Sequence, residues 1–99
     1  MKFVVSWSID QDNWLPVLKM WGKMSAKERA DTGRGVRMIG RWHDMASRTG
    51  VAIVDAKDIK DLHRYIGRWN PVMDMEIAPV VDDAESARLA REIVREHGA

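Results

Sequence analysis

The sequence predicts an α+β domain whose elements follow the ferredoxin-like order β-α-β-β-α-β and end with a C-terminal helix. Four segments alternate apolar and polar residues with the two-residue period of half-buried strands. Between them lie segments whose apolar residues are spaced by three and four, as on one face of a helix. With 99 residues, the chain predicts a single domain spanning residues 1–99 around one hydrophobic core.

The first half of the chain predicts two strands separated by a helical region. Residues 2–9 alternate and form the first strand. A helix then follows, with Pro16 tolerated only in its first turn, and ends near Gly22. Residues 25–30 carry a capping box and form a short second helical segment. Residues 36–44 alternate again and form the second strand. Candidate N-caps of the first helix are Asp10, Asp12 and Asn13.

The second half predicts a hairpin connection at 45–49, a third strand at 50–55 and a helix capped by Asp58. Asn70-Pro71 ends that helix, because proline disfavours helical backbone in the residue before it. The fourth strand is predicted at 73–81. The final helix begins at Asp82 or Asp83, and its predicted buried face consists of Ala87, Ala90, Ile93 and Val94.

Two β-α-β units with right-handed crossovers give an antiparallel sheet in strand order 4-1-3-2, with helices on one face only. Strict alternation assigns side chains to the two faces. Those predicted to face the helices are Phe3, Val5, Trp7, Met38, Trp42, Val51, Ile53, Met73, Met75 and Ile77. Those predicted on the helix-free face include Val4, Ser6, Ser8, Arg37, Ile39, Arg41, His43, Gly50, Ala52, Val54, Asp74, Glu76, Ala78 and Val80.

The helix-free face mixes aliphatic with charged residues, which suits neither a dry core nor a fully solvated surface. Exposed apolar patches of this kind mark partner or ligand surfaces. A second sheet packed face to face is the simplest cover, so the sequence predicts a homodimer through this face.

The segment Gly40–Asp44 supplies the chemically richest part of the predicted site. Alternation places Arg41 and His43 on the helix-free face, near one end of the sheet. The expected neighbours on adjacent strands are Ser6, Ser8, Asp74 and Glu76. Small residues of the third strand would form the floor of a polar pocket there.

His43 is the candidate general acid or base of this pocket, because the ordinary pKa of histidine is about 6.5. Arg41 and Arg37 are candidates for binding a carboxylate or phosphate by paired hydrogen bonds. The alternative for both arginines is an ion pair with Asp74 or Glu76. The three histidines have no metal-ligand spacing, so we expect no metal and no cofactor.

Five tryptophans against one tyrosine and one phenylalanine are an unusual composition. Tryptophan is a large packing element with one N–H to satisfy. We expect most of them in the core, Trp14, Trp21 and Trp69 above all because they lie at helical stripe spacing, and some of the five at a pocket or interface.

Composition excludes several classes of protein. Lys and Arg number 16 against 15 Asp and Glu, a net charge of +1, so a dedicated nucleic-acid binder is not expected. No apolar run approaches the roughly 20 residues that span a bilayer, and we expect no membrane partner. The absence of cysteine rules out disulfides and thiolate catalysis and is compatible with a cytoplasmic location.

The combination of Lys2–Ser8, Gly40–Asp44, Gly50–Val54 and Trp69-Asn70-Pro71 resembles the bacterial domain-of-unknown-function family 3303 over essentially the whole chain. That family is similar to the dimeric α/β-barrel superfamily, in which two ferredoxin-like subunits pack sheet against sheet. The resemblance implies the fold and the dimer, and it implies no activity.

Three hypotheses about function therefore stay open. The first is a dimer that binds a small anionic or polar molecule through Arg41, His43 and Ser6. The second is a cofactor-independent enzyme acting on a small organic acid or carbonyl compound, with His43 as proton shuttle. The third is an assembly module whose polar sheet face only pairs subunits.

Overall fold

The computed structural model describes residues 1–98 and has the predicted order of elements. The elements are β1 (Lys2–Ser8), α1 (Gln11–Lys23), α2 (Ala26–Ala30), β2 (Val36–Asp44), β3 (Thr49–Ala56), α3 (Ile59–Ile66), β4 (Asp74–Val80) and α4 (Asp83–Glu96). The α+β class is confirmed. The largest difference in boundaries is at α3, which ends at Ile66, and residues 67–72 form turns instead of continuing the helix.

Each helix begins at a side chain that the sequence predicts as a cap. The caps are Asp10, Ser25, Asp58 and Asp82. Each accepts a backbone N–H of the first turn, which otherwise has no partner within the helix. Pro16 lies in the second turn of α1 and not in the first. Its side chain is exposed, so the ring meets solvent there.

The four strands form one antiparallel sheet in the order β2-β3-β1-β4. This is the predicted order 4-1-3-2 seen from the other edge. The core lies between the sheet and the helices. Its buried residues are Phe3, Val5, Val36, Ala52, Val54, Ala56, Leu62, Tyr65 and Ile66.

A β-bulge in β2 corrects the predicted faces of that strand. Met38 pairs with Val54 and Gly40 pairs with Ile53, so Ile39 is an extra residue without a cross-strand partner. One inserted residue reverses the alternation of everything after it. Beyond the bulge, Arg41 and His43 therefore face the helices, and Trp42 faces the helix-free side. The predictions for these three residues were wrong.

The predicted faces of β3 were also wrong. Ala52 and Val54 are buried beneath the helices, whereas Val51 is exposed on the other side. The pairing of Val54 with Phe3 and of Ala52 with Val5 fixes this phase. Apolar residues occur at both the odd and the even positions of β3, so alternation alone does not decide which set faces the helices. Gly50 likewise faces the helices, against Trp7; Ile53 is on the helix-free face.

Helix α4 contains no buried residue, which corrects the predicted buried face. Ala87, Ala90, Ile93 and Val94 are all exposed. The radius of gyration is 16.6 Å and the longest dimension is 56 Å, whereas a compact chain of about 100 residues has a radius of gyration near 13 Å. Helix α4 therefore projects from the domain. No helix among residues 1–98, α4 included, combines the length and apolarity needed to cross a membrane.

Candidate functional site

The sheet separates the predicted site residues into two groups. Ser6 pairs with Glu76 and Ser8 with Asp74 on the helix-free face, as the sequence predicts. Arg37 is also on that face and forms an ion pair with Asp55 at 3.4 Å. Arg41 and His43 are on the opposite side, so the sheet lies between them and the acidic residues expected to pair with them.

Arg41 connects β2 to the helices above it. Its Nη2 donates to the carbonyl oxygen of Arg29 at 2.7 Å, and its Nη1 donates to the hydroxyl of Tyr65 at 3.2 Å. The guanidinium carbon also lies 4.8 Å from the ring centroid of Trp21, a cation–π contact. All three partners are neutral. Among residues 1–98, no carboxylate lies within ion-pair distance of Arg41.

His43 lies between two indole rings at an exposed edge of the same region. Its ring centroid is 5.5 Å from that of Trp7 and 5.3 Å from that of Trp21. Desolvation by these neighbours lowers the pKa of His43 below its ordinary value, and the positive charge of Arg41 lowers the pKa further. The neutral imidazole is therefore the favoured form near pH 7.

A cavity of about 70 Å³ opens between the sheet and the helices beside Arg41 and His43. A single water needs roughly 10–15 Å³ of such free space, so the cavity has room for several small groups. Met45 and His43 are exposed and lie at its mouth. The other lining residues are Trp7, Ile9, Trp14, Val17, Leu18, Trp21, Arg41, Thr49, Tyr65, Trp69, Met73 and Met75.

The lining is aromatic and carries positive but no negative charge. Of the five tryptophans, all except Trp42 border the cavity. Among the lining residues within residues 1–98, none is aspartate or glutamate. Within residues 1–98, no three His, Cys, Asp or Glu side chains are grouped so that they could hold a metal ion. The arrangement is therefore suited to holding an apolar or anionic molecule.

Sequence reasoning missed the location of this cavity and most of its walls. Trp14, Trp21 and Trp69 were expected in the core, yet they are only partly buried and line the cavity. The excess of tryptophan over tyrosine and phenylalanine was the available signal. The edge-to-face contact of Trp21 with Trp69, with centroids 5.9 Å apart, forms one wall.

Fold and site together define a small α+β domain with an open antiparallel sheet. A tryptophan-lined cavity lies on the helical side of the sheet, and no helix covers the opposite face in the described part of the chain. The chain belongs to the family described as Domain of unknown function (DUF3303), whose model matches residues 1–94. This confirms the resemblance seen in the sequence. A comparison with curated proteins found no match.

Proposed function

We propose that this domain binds a small anionic molecule, of the class of planar carboxylates, in the cavity between the sheet and helices α1 and α3. The observation that carries the proposal is the partly buried guanidinium of Arg41, which borders an aromatic cavity and has only neutral partners. The site therefore lies on the helical side of the sheet and uses Arg41 and His43 without Ser6.

The donor geometry of Arg41 favours a carboxylate. A guanidinium has five N–H donors, and the two described bonds use two of them. The N–H groups that remain lie in one plane, a geometry that matches the two oxygens of a carboxylate. The resulting charge-assisted hydrogen bonds are stronger than bonds between neutral groups. Partial burial increases the gain, because a charge without a counter-ion is costly away from water.

The cavity walls favour a flat apolar body attached to that carboxylate. The indole rings of Trp7, Trp21 and Trp69 border the cavity, and aromatic rings form offset or edge contacts with one another. Thr49 and the hydroxyl of Tyr65 are the neutral polar groups available to a second substituent. Benzoate is the simplest probe of this chemistry, and benzamide is its uncharged analogue.

The test is a titration of isotopically labelled protein with benzoate, followed through the indole N–H signals of its tryptophans. We expect signals of the four cavity tryptophans to shift. The signal of Trp42, on the other face of the sheet, serves as an internal control because it is remote from the cavity. Benzamide should bind more weakly. Equal affinity for benzoate and benzamide would contradict the role of Arg41.

A matched pair of variants isolates the guanidinium. Arg41→Gln should weaken benzoate binding about 10- to 150-fold, because a hydrogen bond to a charged group contributes roughly 1.5–3 kcal/mol. Arg37→Gln removes an arginine from the same strand on the opposite face and should leave binding unchanged. Arg41→Lys keeps the charge and should retain part of the affinity. Equal losses in Arg41→Gln and Arg37→Gln would exclude the proposed contact.

A second candidate function is proton transfer by His43 on a small organic acid or carbonyl compound bound in this cavity. The lowered pKa favours the neutral imidazole, which is the form able to accept a proton near pH 7. The enzyme hypothesis predicts a turnover rate that falls as the pH drops below about 6.5, and His43→Gln should abolish this dependence on pH. Benzoate binding without turnover across a panel of small acids and carbonyl compounds would favour binding alone.

We further propose the homodimer, with the two helix-free faces packed together as in the dimeric α/β barrels. In support of it, Trp42 is 61% exposed and pairs with the exposed Val51 on this face. Contiguous exposed apolar residues of this kind mark partner surfaces. Val51→Lys should lower the mass measured by light scattering from dimer to monomer. Since the cavity is on the other side, the monomer should still bind benzoate; an assembly module without a ligand would bind none.

A further inference from the structure

Helix α4 presents an apolar stripe that its own chain does not cover. The stripe consists of Ala87, Leu89, Ala90, Ile93 and Val94, all of them exposed. Helices of 14 residues are marginally stable in water without packing. The root of α4 is fixed, because Asp82 caps the helix and its carboxylate lies 3.6 Å from Nζ of Lys2 on β1. The stripe therefore requires a partner beyond this fixed root.

The charges along the stripe indicate what that partner is. At 3.6 residues per turn, one border of the stripe is basic and the other is acidic. The basic border consists of Arg91 and Arg95, with Arg88 beyond it on the back of the helix, and the acidic border consists of Glu85, Glu92 and Glu96. In a parallel pair of identical helices, each basic border meets the acidic border of the other helix. In an antiparallel pair, like charges would meet.

We propose that α4 pairs in parallel with α4 of a second copy of this chain. The inference rests on the proposed homodimer and adds a second contact to it. One two-fold axis serves both contacts if it runs between the two sheets and along the paired helices. Each subunit then contributes its sheet face and its projecting helix to one interface.

The area of the two surfaces supports this arrangement. Four strands about 4.8 Å apart and about 23 Å long present a flat area of about 450 Å². A stable interface buries about 800 Å² on each partner. The sheet face alone is too small for this, even though protruding side chains make its true area larger than the flat area. A helix of 14 residues adds about 200 Å². The helix pair brings the interface close to the usual size.

The chain has no cysteine, so single engineered cysteines give an unambiguous test in the full-length protein. Ala90→Cys places a thiol at the centre of the stripe, and Arg88→Cys places one on the opposite side of the helix. Under mild oxidation, we expect Ala90→Cys to form a disulfide-linked dimer at least tenfold faster than Arg88→Cys. Equal rates in a protein of dimeric mass would overturn the helix pairing and leave the sheet dimer standing.

Charge reversal tests the parallel orientation. In the Ala90→Cys background, one variant carries Arg88→Glu, Arg91→Glu and Arg95→Glu, and the other carries Glu92→Arg and Glu96→Arg. Each variant alone should lose at least tenfold in crosslinking rate, because like borders meet, and their mixture should regain the rate as a heterodimer. A mixture no faster than its components would overturn the pairing.

Two further outcomes separate the contacts. Crosslinking of Ala90→Cys that survives Val51→Lys would support the helix pair and contradict the sheet dimer. The double variant Ala90→Cys, Val51→Cys would form a disulfide within one chain if α4 instead folded back on its own sheet. That product, at monomer mass, would overturn the proposal.

Discussion

Substitution of Gly50 tests the packing that shapes the cavity. Gly50 lies beneath the indole of Trp7, which packs against the core and contacts His43. A Cβ at Gly50 would lie 2.7 Å from Cη2 of Trp7 and closer still to Cζ2 and Cε2. Carbon atoms prefer a separation of about 3.5–4.0 Å, so relief of the closest contact in Gly50→Ala requires the ring or the strand to move by about 1.5 Å.

Overpacking of this kind costs about 1–3 kcal/mol, and alanine in a strand recovers about 0.5–1 kcal/mol relative to glycine. Because the clash with Trp7 is severe, the upper half of the overpacking range applies, and we expect Gly50→Ala to lose about 1–2.5 kcal/mol in the free energy of unfolding. For a domain of this size, that corresponds to a fall of roughly 4–20 °C in Tm. Urea unfolding followed by circular dichroism measures the loss. Displacement of Trp7 should also weaken benzoate binding.

Gly40→Ala is the matched control. Its Cβ would lie 2.9 Å from Cζ3 of Trp42 and closer to Cη2, a clash of similar size on the other face. Because the Trp42 side chain is 61% exposed, its ring can rotate into solvent, and stability should stay level or rise slightly. If the two variants unfold within about 0.5 kcal/mol of each other, the restraint on Trp7 inferred from the structure is wrong.

Other substitutions and pH test the remaining contacts. The pKa of His43 is lowered in the folded protein, so its contribution to stability is complete above about pH 6.5 and declines as the pH falls towards the folded-state pKa. An NMR titration of the imidazole should give a midpoint below about 6.5, and this midpoint should rise in Arg41→Gln. An unchanged midpoint would contradict the effect of the Arg41 charge. Thr32 is buried and its hydroxyl donates to the carbonyl of Val36 at 2.5 Å, so Thr32→Val should cost about 1–3 kcal/mol in urea unfolding, and a neutral result would mean that this carbonyl finds another donor. Asp82→Ala removes the N-cap of α4 and should reduce helicity and amide-exchange protection in α4 alone, whereas a loss of protection throughout the sheet would show that α4 supports the core.

The local elements were predictable because their signals are local. A cap needs only an acceptor side chain before the first turn, and the predicted caps Asp10, Ser25, Asp58 and Asp82 are all used. The strand order followed from the sequence of elements and the handedness of their crossovers. The resemblance to the family likewise required only the motifs, and the match over residues 1–94 confirmed it.

The two faces of the sheet were harder to predict, because facing depends on contacts between strands. In β1 and β4, the bulkiest apolar residues share one face, and the other face carries only Val4, Ala78 and Val80 as apolar residues. The predictions for Val5 and Ile77 were therefore right. In β3, both phases are apolar, and pairing with β1 decided that Ala52 is buried and Val51 exposed.

The sequence by itself determined the α+β class, the positions of the helix starts, the strand order and the presence of an arginine and a histidine two residues apart. Only the tertiary structure decided where that pair points. A single unpaired residue, Ile39, reverses the alternation of β2 and brings Arg41 and His43 to the helical side of the sheet, where they border the tryptophan-lined cavity. The physical reason is that a bulge is set by the register between strands, and the alternation within one strand does not reveal it.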